Sequence, residues 1–266
     1  MFNIMANDRN SIAIMMIARI DSPSRLRNCK ITLRYYSSIF HHIYFYEVDT
    51  ESRIPSEFKE DFPTVKFIFK EDGSKIFHRT YYMNYGFRDI QSRHRFIANI
   101  DVDVIVPSRQ LHEANSIITT GKTPMVIPYN GICISLNEDI TMSIYSSSNP
   151  MDLLTPDMGH AMFGTHSFGG AYVVDVDMYE KLGWENENII GWGPEDIERV
   201  LRLDILGYQP CQIVGYVYHL NHYRGVNSGD FDVDVAFRTK KEFCFICNMK
   251  KEELTDYIKS WNWINP

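Results

Sequence analysis

The chain has 266 residues, and its 27 lysine and arginine residues against 34 aspartate and glutamate residues give it a formal net charge of -7. With 44% apolar and 23% charged residues it has the composition of a globular protein, which excludes a disordered, collagen-like or coiled-coil chain. The acidic balance argues against a surface built mainly to coat nucleic acid or an anionic membrane. We find no internal repeat or linker, and we expect one domain over residues 1–266.

The first apolar segment and the cysteines indicate the cellular setting. Residues 12–18 form the longest apolar stretch near the start, which is too short to span a bilayer and predicts a buried strand, so no membrane span is expected. The 5 cysteines are odd in number and scattered, unlike the paired framework of a small secreted scaffold, and they favour a reducing cytoplasm. Cys244 and Cys247 form a CxxC, but no second ligand pair for zinc lies nearby, so we expect two buried thiols.

Strand and helix patterns alternate in the first hundred residues. Residues 11–18 favour a strand, and apolar residues at spacings of three and four then place a stripe on one helix face: Leu26, Cys29, Leu33, Tyr36 and Phe40. Further strands are predicted at residues 43–48, 65–69 and 95–100, with a helix over residues 75–90. This alternation predicts a single-domain α/β fold with a mixed, mostly parallel sheet flanked by helices.

The second half has weaker periodicity. Residues 128–170 are rich in Ser, Asn, Gly, Pro and Met and predict long loops, a common location of binding groups. Beyond them the sequence predicts a strand at 171–174, a short helix from Asp177, a helix over 194–206 ended by Gly207, and a strand at 212–218.

Four acidic pairs of the form DxD are candidate metal ligands. Such a pair can hold Mg²⁺ or Mn²⁺ on a sugar nucleotide, because carboxylate oxygens suit these cations. Asp101 and Asp103 come where an apolar strand ends, the place where ligands gather in open α/β sheets, although turn capping is an alternative for them. Among the other pairs, Asp177 can cap a helix and residues 230–234 fit a solvated loop.

Residues 191–203, GWGPEDIERVLRL, contain a second acidic motif. Pro194 fits the first position of a helix, which places Glu195 and Asp196 against the positive end of the helix dipole. An ionised carboxylate at the mouth of a site can accept a proton from an alcohol, as a general base does. The glycines on both sides of Trp192 leave its indole accessible, so that it could stack on a sugar.

A structural explanation of the same helix is also open. Its acids could stabilise the helix through the dipole and through surface ion pairs at four-residue spacing, Glu195 with Arg199 and Glu198 with Arg202. The residues alone support both explanations.

Two histidines follow a predicted strand near the end of the chain. A neutral imidazole of His219 or His222 could complete a metal site begun by Asp103, or could simply be hydrogen-bonded. The chain has no GxxxxGK[ST], no complete GxGxxG after a strand, no HExxH and no GxSxG. Nucleotide triphosphatases, dinucleotide enzymes, zinc proteases and serine hydrolases of these patterns are therefore excluded.

Taken in chain order, the motifs resemble the inverting GT-A glycosyltransferases, most closely the β-1,4-galactosyltransferase group of glycosyltransferase family 7. Residues 18–27, ARIDSPSRLR, are similar to that family's early nucleotide-binding loop, and residues 77–88, FHRTYYMNYGFR, to its FNRxxxxNxGF segment. DVD at 101–103, FGG at 168–170, WGPED at 192–196 and a late histidine follow in the family's order. The resemblance spans residues 18–222 and leaves residues 226–266 uncovered.

The resemblance implies a GT-A fold for nucleotide-sugar binding. Residues 1–106 would form the nucleotide-binding half of one catalytic domain and residues 107–225 the acceptor-side half. Residues 226–266 would be a C-terminal extension to which the resemblance assigns no role.

The resemblance also implies roles for individual residues on the donor side. Uridine diphosphate would be held by five residues, Arg19, Asp21, Arg25, Phe77 and Arg79, with Val102 beside the nucleotide. Asp103 would ligate Mn²⁺ or Mg²⁺, and Asp101 would contact the ribose or the metal. His219, nearest the strand end, is the first expectation for a second ligand, and His222 is the alternative.

On the sugar side, the resemblance makes Asp196 the base, Glu195 an acceptor-binding residue and Trp192 a residue that faces the sugars and the diphosphate. Gly169 and Gly170 would lie beside the donor sugar. In that family the residue before FGG lies near the C2 substituent of the donor. Here it is Ser167, which leaves room for an N-acetyl group unless the loop at His166 or Tyr172 refills the space.

The implied reaction transfers galactose or N-acetylgalactosamine, with inversion, from a UDP-sugar to a hydroxyl of a glycan or glycolipid acceptor. Two alternatives stay open: a non-catalytic carbohydrate or nucleotide-sugar binding protein on the same fold, and a transferase for a different UDP-sugar. The sequence lacks the membrane anchor and cysteine pairs of animal members. This implies a bacterial-type enzyme of polysaccharide biosynthesis in the cytoplasm, including the inner face of the membrane.

Overall fold

The computed structural model describes residue 9, residues 11–225, residue 229 and residues 232–264. Its first half alternates strands and helices in the predicted order: β1 (Ile12–Ala18), α1 (Pro23–Ser37), β2 (Ile43–Asp49), α2 (Ser56–Asp61), β3 (Val65–Glu71), α3 (Arg79–Ile90) and β4 (Phe96–Ile100). β1 is buried along almost its whole length because it pairs with β2 on one side and β4 on the other. Its continuous apolar run is typical of a strand covered on both faces.

The second half contains shorter strands and the remaining helices. In chain order these are β5 (Val104–Ile105), α4 (Ser108–Ile118), β6 (Met125–Ile127), β7 (Cys133–Ser135), α5 (Glu138–Ser146), β8 (His160–Met162), β9 (Ala171–Asp175), α6 (Val176–Lys181), α7 (Glu195–Ile205), β10 (Cys211–Gln212), β11 (Val217–His219), α8 (Val233–Cys247) and α9 (Lys251–Lys259). Within the described part of the chain, no helix is long and apolar enough to cross a membrane.

The strands form a large sheet and a small one. The large sheet has seven strands in the order β10-β6-β9-β4-β1-β2-β3, all parallel except β9, which runs antiparallel to both neighbours. The small sheet has the order β5-β11-β7-β8. The prediction of a mixed, mostly parallel α/β sheet is confirmed.

The sheet order determines where the loops meet. β1 and β4 are neighbours and parallel, so the segments that follow them emerge at the same edge of the large sheet. β5 starts directly after the turn that follows β4, and it pairs with β11 so that Val104 faces His219. Pairing within the small sheet therefore places His219 and the following His222 close to residues 101–103.

Side chains of β1 alternate between two cores. Ile14 and Met16 belong to the cluster that includes residues of α1 and α4, and Ala13 and Met15 belong to the cluster on the other face. That second cluster also contains Leu254 and Ile258 of α9. Residues beyond 226 therefore take part in the core under the large sheet.

The prediction of long loops over residues 128–170 was wrong, because this segment contains β7, α5 and β8. β7 and β8 have three residues each, too few for alternation to show in the sequence. β7 exists because it pairs with β8 on one side and β11 on the other. Asn137 caps the start of α5, since its side chain accepts a hydrogen bond from the Ile140 amide.

Two other boundaries differ from the prediction. The strand expected at 212–218 is broken into β10 and β11, which lie in different sheets. Between them Gly215 has φ 137°, and a Cβ there would lie 2.3 Å from Oε1 of Gln110, so the chain turns where only glycine fits. The helix expected from residue 75 begins at Arg79.

The acids that cap two helices and the exposure of two cysteines also differ from the prediction. Asp175, not Asp177, caps α6, since its carboxylate accepts from the amides of residues 177 and 178. Asp232 caps α8 where a solvated loop was expected, while Asp230 lies outside the described residues.

The prediction that Cys244 and Cys247 are buried was wrong. Both are exposed, because the buried face of α8 is formed by other positions of the helix.

Candidate active site

A cavity of about 380 Å³ lies where the segments after β1 and β4 meet the small sheet and the start of α7. It is lined by every residue that the sequence singled out: Arg19, Asp21, Arg25, Phe77, Arg79, Asp101, Val102, Asp103, Ser167, Gly169, Gly170, Trp192, Glu195, Asp196, His219 and His222. The structure thus brings the separate motifs into one place. The role of each residue stays a prediction.

Asp103 and the two late histidines form a compact cluster. One ligand atom from each residue lies within 4.8 Å of the other two. An oxygen of Asp103 is 3.2 Å from Nε2 of His222, and its other oxygen is 3.8 Å from Nε2 of His219. The two histidines are therefore not alternatives in space, since both face the same carboxylate.

The protonation of this cluster suits metal binding. Burial opposes ionisation of Asp103, but His219 and Arg25 nearby outweigh it and hold its pKa below the usual value. Burial lowers the pKa of His219, which favours the neutral imidazole that coordinates metals. Nδ1 of His222 lies 2.7 Å from the Tyr223 carbonyl oxygen and 3.3 Å from Nη2 of Arg25, and its Nε2 faces Asp103.

The donor set of one carboxylate and two imidazoles fits a divalent cation. Mg²⁺ prefers oxygen ligands throughout, whereas imidazole nitrogen is better suited to first-row transition metals. These residues therefore fit Mn²⁺ better than Mg²⁺. Asp101 is outside the cluster of three.

Two arginines line the side of the cavity next to β1. Arg25 donates from Nε to Asp21 at 2.9 Å and from Nη1 to Asp103 at 3.0 Å. The guanidinium of Arg19 bonds to Asp72 at 2.8 Å and lies 5.3 Å from the centre of the Phe77 ring. These contacts hold both arginine side chains next to the cluster of Asp103, His219 and His222.

Arg79 connects two acids on opposite sides of the cavity. It pairs with Asp101 through Nη2 and lies 3.5 Å from Glu195 through Nη1. Burial raises the pKa of Asp101 to about 6, and burial together with Asp196 raises that of Glu195 to about 8. Among the described residues, Oε2 of Glu195 is buried without a hydrogen-bond partner, which marks it as a group that a ligand can satisfy.

Asp196 is held between α7 and the FGG segment. Its Oδ1 accepts a hydrogen bond from Arg199 at 3.0 Å. A Cβ on Gly169 would lie 2.1 Å from its Oδ2, so only glycine allows this approach. Of the two surface pairs expected on α7, Glu198 and Arg202 do pair, at 2.8 Å, but both are buried. The pair of Glu195 with Arg199 is wrong, because Arg199 is buried and pairs with Glu185 and Asp196.

Ser167 lies beside a buried tyrosine that the sequence analysis missed. The Tyr129 hydroxyl lies 3.1 Å from Oγ of Ser167 and 2.6 Å from the Gly169 carbonyl oxygen. Tyr172 is buried and absent from the described lining of the cavity, whereas His166 lines it. No local pattern marks Tyr129, because its role comes from contacts with a distant segment.

Exposed apolar side chains surround the mouth of the cavity. Trp192 is 43% exposed, in line with the accessible indole that its flanking glycines predicted, and Ile197 is 44% exposed. Phe163, which the sequence analysis also missed, is 67% exposed and has φ 55°, an unusual backbone conformation for an aromatic residue. Arg224 is a further lining residue that no motif indicated.

No protein-family model matches the chain, and no curated protein matches it. A solved structure of GalNAc-T7 with UDP, GalNAc and Mn²⁺ is similar, with a TM-score of 0.55 and 12% identity over 94% of this chain and 50% of that chain. The catalytic domain of Drosophila beta1,4galactosyltransferase 7 in complex with xylobiose has a TM-score of 0.43 and 15% identity over 76% of this chain and 63% of that one. The chain spans less than two thirds of the length of either protein. At this level of identity the similarity concerns the fold, and the chain has the GT-A fold that its motifs predicted.

Proposed function

We propose that this protein is a metal-dependent inverting glycosyltransferase that moves galactose or N-acetylgalactosamine from a UDP-sugar to a hydroxyl of a glycan or glycolipid acceptor. The observation that carries the proposal is that the cluster of Asp103, His219 and His222 shares one cavity with Asp196. The solved GalNAc-T7 structure contains UDP, GalNAc and Mn²⁺, which supports the same class of donor here. We further propose, as the resemblance implies, that the enzyme acts in polysaccharide biosynthesis in the cytoplasm.

On the donor side, Asp103, His219 and His222 would hold Mn²⁺, which would neutralise the diphosphate and make UDP a better leaving group. Arg25 already contacts Asp103, so it lies where it can add a second positive charge near the diphosphate. Phe77, whose ring lies next to the Arg19 guanidinium in the cavity lining, would contact the uracil ring. Asp101, which pairs with Arg79, would contact the ribose or the metal, as the resemblance implies.

On the acceptor side, Asp196 would remove a proton. Its Oδ1 is engaged by Arg199, so Oδ2 takes the proton from the acceptor hydroxyl as that oxygen attacks the anomeric carbon. UDP leaves from the opposite face of the sugar, and the anomeric configuration inverts. Oε2 of Glu195 would form a hydrogen bond with a second acceptor hydroxyl, and Trp192 would pack on an apolar sugar face.

Donor screening by product mass in the presence of Mn²⁺ tests the proposal, with Asp196→Asn as the decisive variant. The amide cannot take the proton, so we expect UDP affinity to be retained while turnover falls by about 10²-fold or more. Asp204→Asn, an exposed acid on the same helix, is the matched control and should keep the wild-type rate. Binding of UDP-sugar without transfer or hydrolysis, in wild type and both variants, would instead indicate a non-catalytic binding protein.

The small side chain of Ser167 supports acceptance of UDP-N-acetylgalactosamine. Its hydroxyl belongs to a residue that lines the cavity and could bond to the N-acetyl group. In competition between the two donors, Ser167→Tyr should shift preference toward UDP-galactose. An unchanged donor ratio would place Ser167 away from the C2 substituent. If the wild type uses a different UDP-sugar, the assignment of galactose or N-acetylgalactosamine as the donor sugar is rejected.

A further inference from the structure

A chain of buried charges lies behind Asp196. Arg199, which is 0% exposed, donates from Nη1 to Oδ1 of Asp196 at 3.0 Å. Its other two donor groups are engaged by Glu185, with Nε 2.9 Å from Oε1 and Nη2 2.9 Å from Oε2. The edge of the guanidinium formed by Nε and Nη2 thus binds the buried carboxylate of Glu185, and Nη1 binds the carboxylate of Asp196 at the cavity.

Glu185 is itself fixed from several sides. The hydroxyls of Tyr172 and Tyr179 donate to its Oε1 at 2.6 Å and 2.8 Å, and its amide donates to Asn84 at 2.8 Å. Arg199 also lies over the Tyr172 ring, 4.0 Å from the ring centre. These partners come from α3, β9, α6 and α7, so the position of the guanidinium is set by the core of the protein.

A second buried pair one turn along α7 provides a comparison. Arg202 donates to Glu198 at 2.8 Å and to the Trp184 carbonyl oxygen at 2.7 Å, and both charged side chains are buried. All its contacts are with groups outside the cavity lining. Arg199 differs because one of its donors reaches a cavity carboxylate.

We propose that Arg199, anchored by Glu185, is a positioning residue that orients the carboxylate of Asp196 for proton transfer. This inference rests on the proposed function, since it takes Asp196 as the base. Holding Oδ1 leaves a single oxygen for the acceptor proton. Gly169 leaves the space in which that oxygen lies. Burying an arginine and a glutamate is costly unless their geometry is fully satisfied, and here the satisfied geometry also orients the reacting group.

The test compares Arg199→Lys with Arg202→Lys in wild-type and Asp196→Asn backgrounds. A lysine ammonium is too compact to bind Glu185 and Asp196 as the guanidinium does. We expect Arg199→Lys to lower kcat by on the order of 10²-fold, because small misplacement of a reacting group has effects of that size, while KM for the UDP-sugar stays within about twofold. Arg202→Lys should lower the unfolding temperature as much but keep the wild-type kcat.

The Asp196→Asn background separates positioning from general damage. If Arg199 acts through Asp196, adding Arg199→Lys to Asp196→Asn will not lower the residual rate further. Multiplicative losses, or equal losses of kcat for the two lysine variants, would overturn the inference. Should Arg199→Lys not fold, Glu185→Gln replaces it, because it loosens the same anchor without touching Asp196.

The same measurements distinguish this inference from the proposed function. An inactive Asp196→Asn together with a fully active Arg199→Lys would leave the base in place and reject the positioning role. A fully active Asp196→Asn would reject the base, and with it the positioning role. Retained UDP affinity by calorimetry in each variant confirms that the donor side is intact.

Discussion

At the scale of single residues, burial and neighbouring charges give two carboxylates of the same motif different pKa values. Asp101 and Asp103 belong to one motif, yet burial raises the pKa of Asp101 to about 6, whereas His219 and Arg25 outweigh burial at Asp103 and lower its pKa. The carboxylate that stays ionised most readily is the one that faces two imidazoles. This difference supports Asp103 as the metal ligand and Asp101 as the partner of Arg79.

The two histidines of the cluster can be tested by manganese calorimetry. Because both face Asp103, His219→Ala and His222→Ala should each weaken Mn²⁺ binding by at least about tenfold. His166→Ala, which changes a cavity histidine outside the cluster, should leave the affinity unchanged. Losses that are negligible for both ligand variants would remove the histidines from the metal site.

The raised pKa of Glu195 predicts a pH dependence of stability. Burial, together with Asp196, moves this pKa from 4.5 to about 8, so the fold favours the protonated form. The resulting stabilisation is complete below pH 4.5 and is lost as the pH rises toward 8. Glu195→Gln, which is always neutral, should therefore gain roughly 2–4 kcal/mol in unfolding free energy over wild type between pH 5 and pH 8.

Urea unfolding at several pH values measures this difference. Glu185→Gln is the matched control, for which the change in stability should have the opposite sign. The paired Arg199 outweighs the effect of burial and lowers the pKa of Glu185. That variant should be less stable than wild type at neutral pH. Parallel pH profiles for wild type and Glu195→Gln would show that Glu195 does not titrate in this range.

At the scale of elements, the site forms where the ends of short elements meet. β5 and β11 pair so that His219 lies opposite Val104, next to Asp103. The FGG segment runs into β9 and approaches the first turn of α7 closely enough that Gly169 touches Asp196. A two-residue strand and a glycine thus place groups from distant parts of the chain within reach of one substrate.

The close approach of the FGG segment to α7 predicts the effect of Gly169→Ala. The added methyl would lie 2.1 Å from Oδ2 of Asp196, so the carboxylate must move. We expect a folded protein with normal UDP affinity and a turnover lower by roughly 10- to 100-fold. Gly73→Ala, where the nearest atom is 4.0 Å away, is the control and should behave as wild type. Steady-state rates that match for the two variants would contradict this arrangement.

At the scale of the whole molecule, the candidate metal site lies between the two sheets. Asp103 lies between β4 of the large sheet and β5 of the small one, and His219 ends β11 of the small sheet. A cation bound to both residues would link the sheets only in the folded state. Ligand binding and global stability are therefore coupled.

Thermal unfolding with Mn²⁺ and UDP measures this coupling. At concentrations about 100 times the dissociation constant, binding contributes about 2.7 kcal/mol, which corresponds to a rise of roughly 5–10 °C for a chain of this size. Asp103→Ala removes a ligand from the cluster, so its unfolding temperature should not respond to Mn²⁺ and UDP together. An equal rise in wild type and Asp103→Ala would place the binding site elsewhere.

The sequence by itself determined the elements with strong local patterns and many of the residues at the cavity, although not Phe163 or Arg224. β1 to β4 and α1 follow from runs of apolar residues that each element carries within its own length. The DVD, FGG and WGPED motifs pointed to residues that all line one cavity, because turns and strand ends are also short local signals.

Only the tertiary structure decided how these pieces meet. The strands β7 and β8 have three residues each and exist through pairing, so residues 128–170 gave no local sign of them. Arg199 looks like a surface residue at four-residue spacing from Glu195, yet it is buried against Glu185 and Asp196. The physical reason is that contacts between segments far apart in the chain decide which residues are buried and which charged groups pair. Local periodicity carries no information about such contacts.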